Sequence, residues 1–134
     1  MTDVTVKTLD QMEPILGGVM LRTRASLGAT SFGIQVLNMP PRADWYPEHS
    51  HDGAPSEDGQ EEVYTPLKGS ATLQVGGQSY ELEPGTFARV GSGEKRKLVP
   101  GDEGAQILAL GAMPGRAYSP PEFTELGGPE PQAP

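Results

Sequence analysis

Ala43-Asp44-Trp45-Tyr46-Pro47-Glu48-His49-Ser50-His51 opens the stretch that decides how this chain is read, and Glu61-Glu62-Val63-Tyr64-Thr65-Pro66-Leu67-Lys68-Gly69 closes it. The two histidines are the only ones in the protein and stand two positions apart. On an extended strand, residues two apart point to the same face. Two imidazoles on one face can share a cation, and a carboxylate from a neighbouring strand can complete the set. Glu62 begins a run that reads as that neighbouring strand. The reading predicts a histidine strand over 46–51 and a second strand over 62–67, joined by a polar surface loop, mobile without a ligand, over 52–60.

Working outward, Gly and Pro punctuate the chain at 18 and 14 positions, between short apolar runs. Such punctuation implies many turns and short strands. Strands are predicted over 2–9, 19–24, 31–39, 71–75, 78–82, 86–90, 95–99 and 105–112. The first is an edge strand, and 62–67 pairs with 71–75 as a hairpin through Lys68-Gly69-Ser70. Gly76-Gly77 makes the tightest turn, since both positions tolerate positive φ. The only helical candidate, residues 9–16, is interrupted by Pro14. The class is therefore all-β. Residues 1–115 read as a single domain, and 116–134 as a C-terminal extension without order from about residue 127.

Composition narrows the function. The chain has 134 residues, enough for one core, and no cysteine, so it has neither disulfides nor a thiolate metal site. A formal net charge of −8 argues against non-specific nucleic-acid binding. The longest apolar stretch, around 106–110, is far too short to span a membrane, and the N-terminus does not read as a signal peptide. These features fit a cytoplasmic protein. The acidic loop residues Asp52, Glu57, Asp58 and Glu61 do not have the spacing of an EF-hand and read as a solvated loop. Gly76-Gly77 is not a phosphate loop, since no helix follows it.

These residues together resemble the cupin superfamily of small β-barrels, over about residues 31–112. His49-Ser50-His51 matches the His-x-His of the first cupin motif, with Ala43 at the position of its opening glycine. Glu62 lies at the motif's distance before Gly69, so it matches the ligand glutamate better than Glu61 does. The gap between His51 and Glu62 is longer than usual. In the second motif Gly85 and Gly93 match. Gly91 stands in place of Pro, Arg96 in place of the ligand histidine, and Pro100 in place of Asn.

The resemblance implies a double-stranded β-helix, or jelly roll, with the site inside the barrel. It also implies a homodimer formed through edge strands. It further implies a divalent metal (iron, manganese, nickel or zinc) on His49, His51 and Glu62, and a small organic substrate. Arginine offers no lone pair, so Arg96 is not a ligand. Two readings follow. In one, the metal is held by the three remaining groups. Arg96 binds an anionic substrate there, with Tyr64, Trp45 and Phe87 lining the pocket, for dioxygenase, isomerase or lyase chemistry. In the other, no metal binds, Arg96 pairs with Glu62, and the protein senses or stores a ligand without catalysis.

Overall fold

Two long strands carry the architecture. In the computed structural model, which describes residues 2–52 and 59–131, β4 spans Glu61–Val75 and β7 spans Arg96–Ala112. Shorter strands complete the sheet: β1 (Pro14–Ile15), β2 (Met20–Leu21), β3 (Gly33–Met39), β5 (Gln78–Leu82) and β6 (Ala88–Val90). The order is β1-β2-β3-β7-β4-β5, with β6 on β4 and every pairing antiparallel. A five-residue helix, α1 (Thr23–Leu27), follows β2 and ends on Gly28 in the left-handed conformation.

β4 and β7 each serve two halves of a folded sheet. The first half of β4 lies between β6 and the second half of β7; its second half lies between β5 and the first half of β7. The register slips between Pro66 and Lys68 and again between Gly69 and Ala71. Bulges of this kind bend a strand and increase its twist, which turns a flat sheet into a roll. Burial along β7 shows the consequence. Arg96, Leu98 and Pro100 face inward, and after the bend the inward set becomes Ala105, Ile107, Ala109 and Gly111. Leu37, Tyr64, Leu73, Leu82, Leu98 and Ile107 form the centre of the core. Gly76 and Gly77, both at positive φ, make the two-residue hairpin between β4 and β5.

Gly69 sits at the second register slip, with φ of 69°, and a Cβ there would run into the backbone carbonyl of Gly104. A non-glycine residue would meet both an unfavourable dihedral and an immovable neighbour. Gly69→Ala is expected to cost about 2–4 kcal/mol, read as a fall in chemical-denaturation midpoint. A variant as stable as the parent would show that the bend does not depend on this glycine.

Several sequence expectations are corrected. Residues 2–9 form no strand, and Val4 and Val6 are 70% and 86% exposed. Their alternation has no neighbouring strand among the described residues to pair with. Residues 62–67 and 71–75 are one strand rather than a hairpin, and 95–99 and 105–112 likewise join into β7. The stretch 46–51 makes a single isolated bridge, His49 to Arg96. Residues 19–24 divide between β2 and α1. Of the polar loop, 53–58 lie outside the described residues, as do 132–134 at the C-terminus. No helix among the described residues is long and apolar enough to cross a membrane.

The extension beyond the barrel is docked as far as it is described. Arg22, only 1% exposed, donates from Nε to the Phe123 carbonyl at 2.8 Å and from Nη2 to the Gly128 carbonyl at 2.8 Å. Its Nη1 pairs with Glu13, whose carboxylate also accepts the Gly127 N–H. Phe123 packs against the core from this segment.

Candidate metal and ligand site

Glu62 and Tyr64 are two apart on β4, so both project to the inner face. Gly111 of β7 and Val90 of β6 flank Glu62 in register. The histidines reach the same place by a different route. His49 exchanges two main-chain hydrogen bonds with Arg96, at 3.0 and 2.8 Å, and His51 N–H donates to the Ser92 carbonyl at 2.8 Å. The segment 49–51 therefore runs antiparallel to 92–96. Pro47 has no N–H and does not carry the pairing further back.

Five groups converge. His51 Nε2 lies 2.8 Å from Glu62 Oε1, and His49 Nε2 lies 3.7 Å from the same oxygen, too far for a hydrogen bond. The imidazole centroids are 5.1 Å apart and nearly perpendicular. Tyr64 donates its hydroxyl to Glu62 Oε1 at 2.6 Å, and Arg96 Nη1 donates to it at 2.6 Å. Arg96 is fully enclosed, and each of its guanidinium nitrogens is engaged. Nε donates to the Glu94 carbonyl, Nη2 to the Gly91 carbonyl, and Nη1 also to the Tyr64 hydroxyl. The mouth of the cluster is at His49, whose side chain is 25% exposed against 14% for Glu62 and 10% for His51.

The electrostatics follow from this crowding. Burial alone would raise the Glu62 pKa. Its contacts with His49 and His51, the charge of His51 and the Tyr64 hydroxyl overrule that and hold the carboxyl well below the usual carboxylate range. Burial, with the Glu62 charge beside it, pushes the Tyr64 phenol well above its ordinary value, and Tyr46 rises for the same reasons. Both tyrosines therefore stay neutral, and Tyr64 remains a donor.

Three side chains could together hold a cation. His49, His51 and Glu62 each offer one ligand atom, and these atoms lie within 4.8 Å of one another. His49 Nδ1 sits 3.1 Å from the Pro47 carbonyl, which only accepts. Nδ1 therefore carries a proton, and in the neutral imidazole Nε2 turns its lone pair toward Glu62. At 3.7 Å from Glu62 Oε1, with Nδ1 occupied by the Pro47 carbonyl, Nε2 is the His49 atom that can turn to a cation shared with Glu62. The donor chemistry therefore fits a divalent cation.

The remaining sequence-derived positions fall further out. Trp45 is 43% exposed and Phe87, just before β6, is 69% exposed. Tyr46 stands edge-on to His49 with centroids 6.1 Å apart. The carbonyls of Gly91 and Glu94 that hold Arg96 were not anticipated. They act through the main chain, so no residue type announces them.

No family model matches the chain, and no curated protein sequence is significantly similar to it. Solved structures are similar in shape. A cupin protein from Bacteroides fragilis superposes with a TM-score of 0.67 at 20% identity, over 90% of this chain and 93% of that one. A sugar phosphate isomerase from a cupin superfamily, from Silicibacter pomeroyi, gives 0.66 at 21% identity, over 88% and 83%. The chain has the cupin fold. A DMSP lyase from Ruegeria pomeroyi is similar over 72% of this chain and 46% of its own, with a TM-score of 0.53 and 24% identity. Inside this barrel the Arg96 guanidinium is turned onto Glu62.

Proposed function

We propose that the chain is a small-molecule-binding cupin that holds a divalent cation through His49, His51 and Glu62 and takes an anionic or oxygenated organic ligand at that cation. The observation that carries this is the convergence of one ligand atom each from His49, His51 and Glu62 within 4.8 Å of one another. When bound, the metal would supply Lewis-acid polarisation of a ligand oxygen. The chain's own residues do the rest. The Pro47 carbonyl fixes the His49 tautomer, and Tyr64 and Arg96 hold Glu62 ionised and oriented. Trp45 lies close in sequence to His49 and is available to an incoming ligand; Phe87 has no part in this reading. The isomerase and the lyase among the similar structures support small-molecule chemistry of the isomerase or lyase type.

Protein loaded with a divalent metal in the presence of an organic acid is expected to carry one metal per chain by elemental analysis, and His49→Ala or His51→Ala to weaken its retention by at least about tenfold. Metal content unchanged in both variants would sink the proposal. One observation favours a second reading: the 2.6 Å pairing of Arg96 with Glu62 already neutralises the carboxylate. On that reading the protein binds its ligand without metal, and both variants and parent are metal-free.

A further inference from the structure

The substitution at position 96 changes the charge balance of the cluster. With a cation bound, the ligating imidazoles are neutral and contribute nothing, Glu62 contributes one negative charge, and Arg96 one positive charge that cannot be shed. A divalent cation held here therefore leaves two uncompensated positive charges in a largely enclosed pocket. With a neutral histidine at the same position only one would remain. Arg96 has no means of moving aside, since its side chain is 0% exposed and its three nitrogens are tied to the Gly91 and Glu94 carbonyls, Glu62 and Tyr64. It also occupies the carboxylate: among the described residues, every hydrogen bond to Glu62 falls on Oε1.

From this geometry we infer that Arg96 makes cation and anion binding interdependent: the cation is held weakly alone and tightly when an anionic ligand binds with it. The inference rests on the cation reading above and deepens it, naming a carboxylate-bearing or similarly anionic molecule as the ligand class. The guanidinium repels the cation and attracts the anion through the same short, poorly screened space. Each ion offsets the cost that Arg96 imposes on the other. Linkage then requires the effect to be mutual: the anion raises cation affinity by the same factor as the cation raises anion affinity. Arg96 does not touch the anion in this scheme. It is a positioning residue that acts through Glu62 and through its field.

The experiment is calorimetric titration of the full chain with Ni2+ in the presence of acetate or, at matched ionic strength, of acetamide as its uncharged isostere. Acetate is expected to tighten Ni2+ binding by about tenfold relative to acetamide, within the usual range for linked sites. Arg96→Gln should bind Ni2+ more tightly than the parent in acetamide and show a several-fold smaller acetate effect. Arg96→Lys, which keeps the charge, should retain most of it. Arg96→His should also tighten basal binding, since it restores a ligand. Circular dichroism and melting curves show which variants are folded, and the acetate effect on the parent needs no variant at all. Equal Ni2+ affinity in acetate and acetamide would overturn the inference while leaving the cation site standing. A coupling unchanged in folded Arg96→Gln would do the same. No Ni2+ binding under any condition would instead overturn the cation reading, and this inference with it.

Discussion

Glu62→Ala is expected to destabilise this protein by about 3–5 kcal/mol, because it strands the Arg96 guanidinium, buried with no solvent exposure, without its counter-charge. For a chain of this length that is a fall of about 10–18 °C in melting temperature. Tyr64 loses its acceptor in the same step, at 2.6 Å, and its phenol is buried. The loss should be far smaller when both charges go together. Glu62→Leu combined with Arg96→Met is expected to recover most of the stability, since removing a whole buried pair is often close to neutral. A double variant as unstable as Glu62→Ala would mean that packing rather than charge sets the cost. The pH dependence has the matching sign. The folded carboxyl is held below its unfolded value, so its contribution is fully present above about pH 5 and is lost as the solution becomes more acid. The acid limb of the stability curve should therefore flatten in the double variant.

Arg22→Ala is the second large effect, expected at about 2–4 kcal/mol. Arg22 is 1% exposed and donates to the Phe123 and Gly128 carbonyls while pairing with Glu13, so its removal leaves several acceptors of the docked extension without donors. Some of them regain water, which keeps the cost below that of stranding a charge. The distinguishing readout is local: residues 122–131 should become sensitive to limited proteolysis and lose hydrogen-exchange protection before the barrel does. Arg22→Lys should rescue little, because one ammonium does not reproduce a fork aimed at carbonyls on either side. Unchanged protection of 122–131 in Arg22→Ala would show that Phe123 packing alone holds the extension.

The candidate ligands were legible because each depends on residue type at short range. His49 and His51 are the only histidines, and Glu62 keeps its distance to Gly69. Gly76-Gly77 was legible for the same reason, as a turn set by two adjacent residues. The continuity of β4 was not. Lys68-Gly69-Ser70 has the composition of a turn, and only the pairing with β7 on both sides of it shows that Gly69 bends one strand instead of ending it. Pro100 to Gly104 misleads in the same way, since Pro100 keeps its register with Ala71 and faces inward. Val4 and Val6 show the converse, because an alternating pattern forms a strand only beside a partner. The role of Arg22 was out of reach, since its partners lie about a hundred residues downstream and accept through main-chain carbonyls.

Residue 96 holds His49 with its peptide group and Glu62 with its side chain. The two tasks are separable. Any residue that keeps an extended backbone there would leave His49 anchored, and exchange of the guanidinium for a hydrocarbon group, made together with one at Glu62, would change the interior without touching that anchor. The interior of the barrel can thus be altered at one facing pair of residues without rebuilding the scaffold, which makes this pair a starting point for directed evolution of a new binding site.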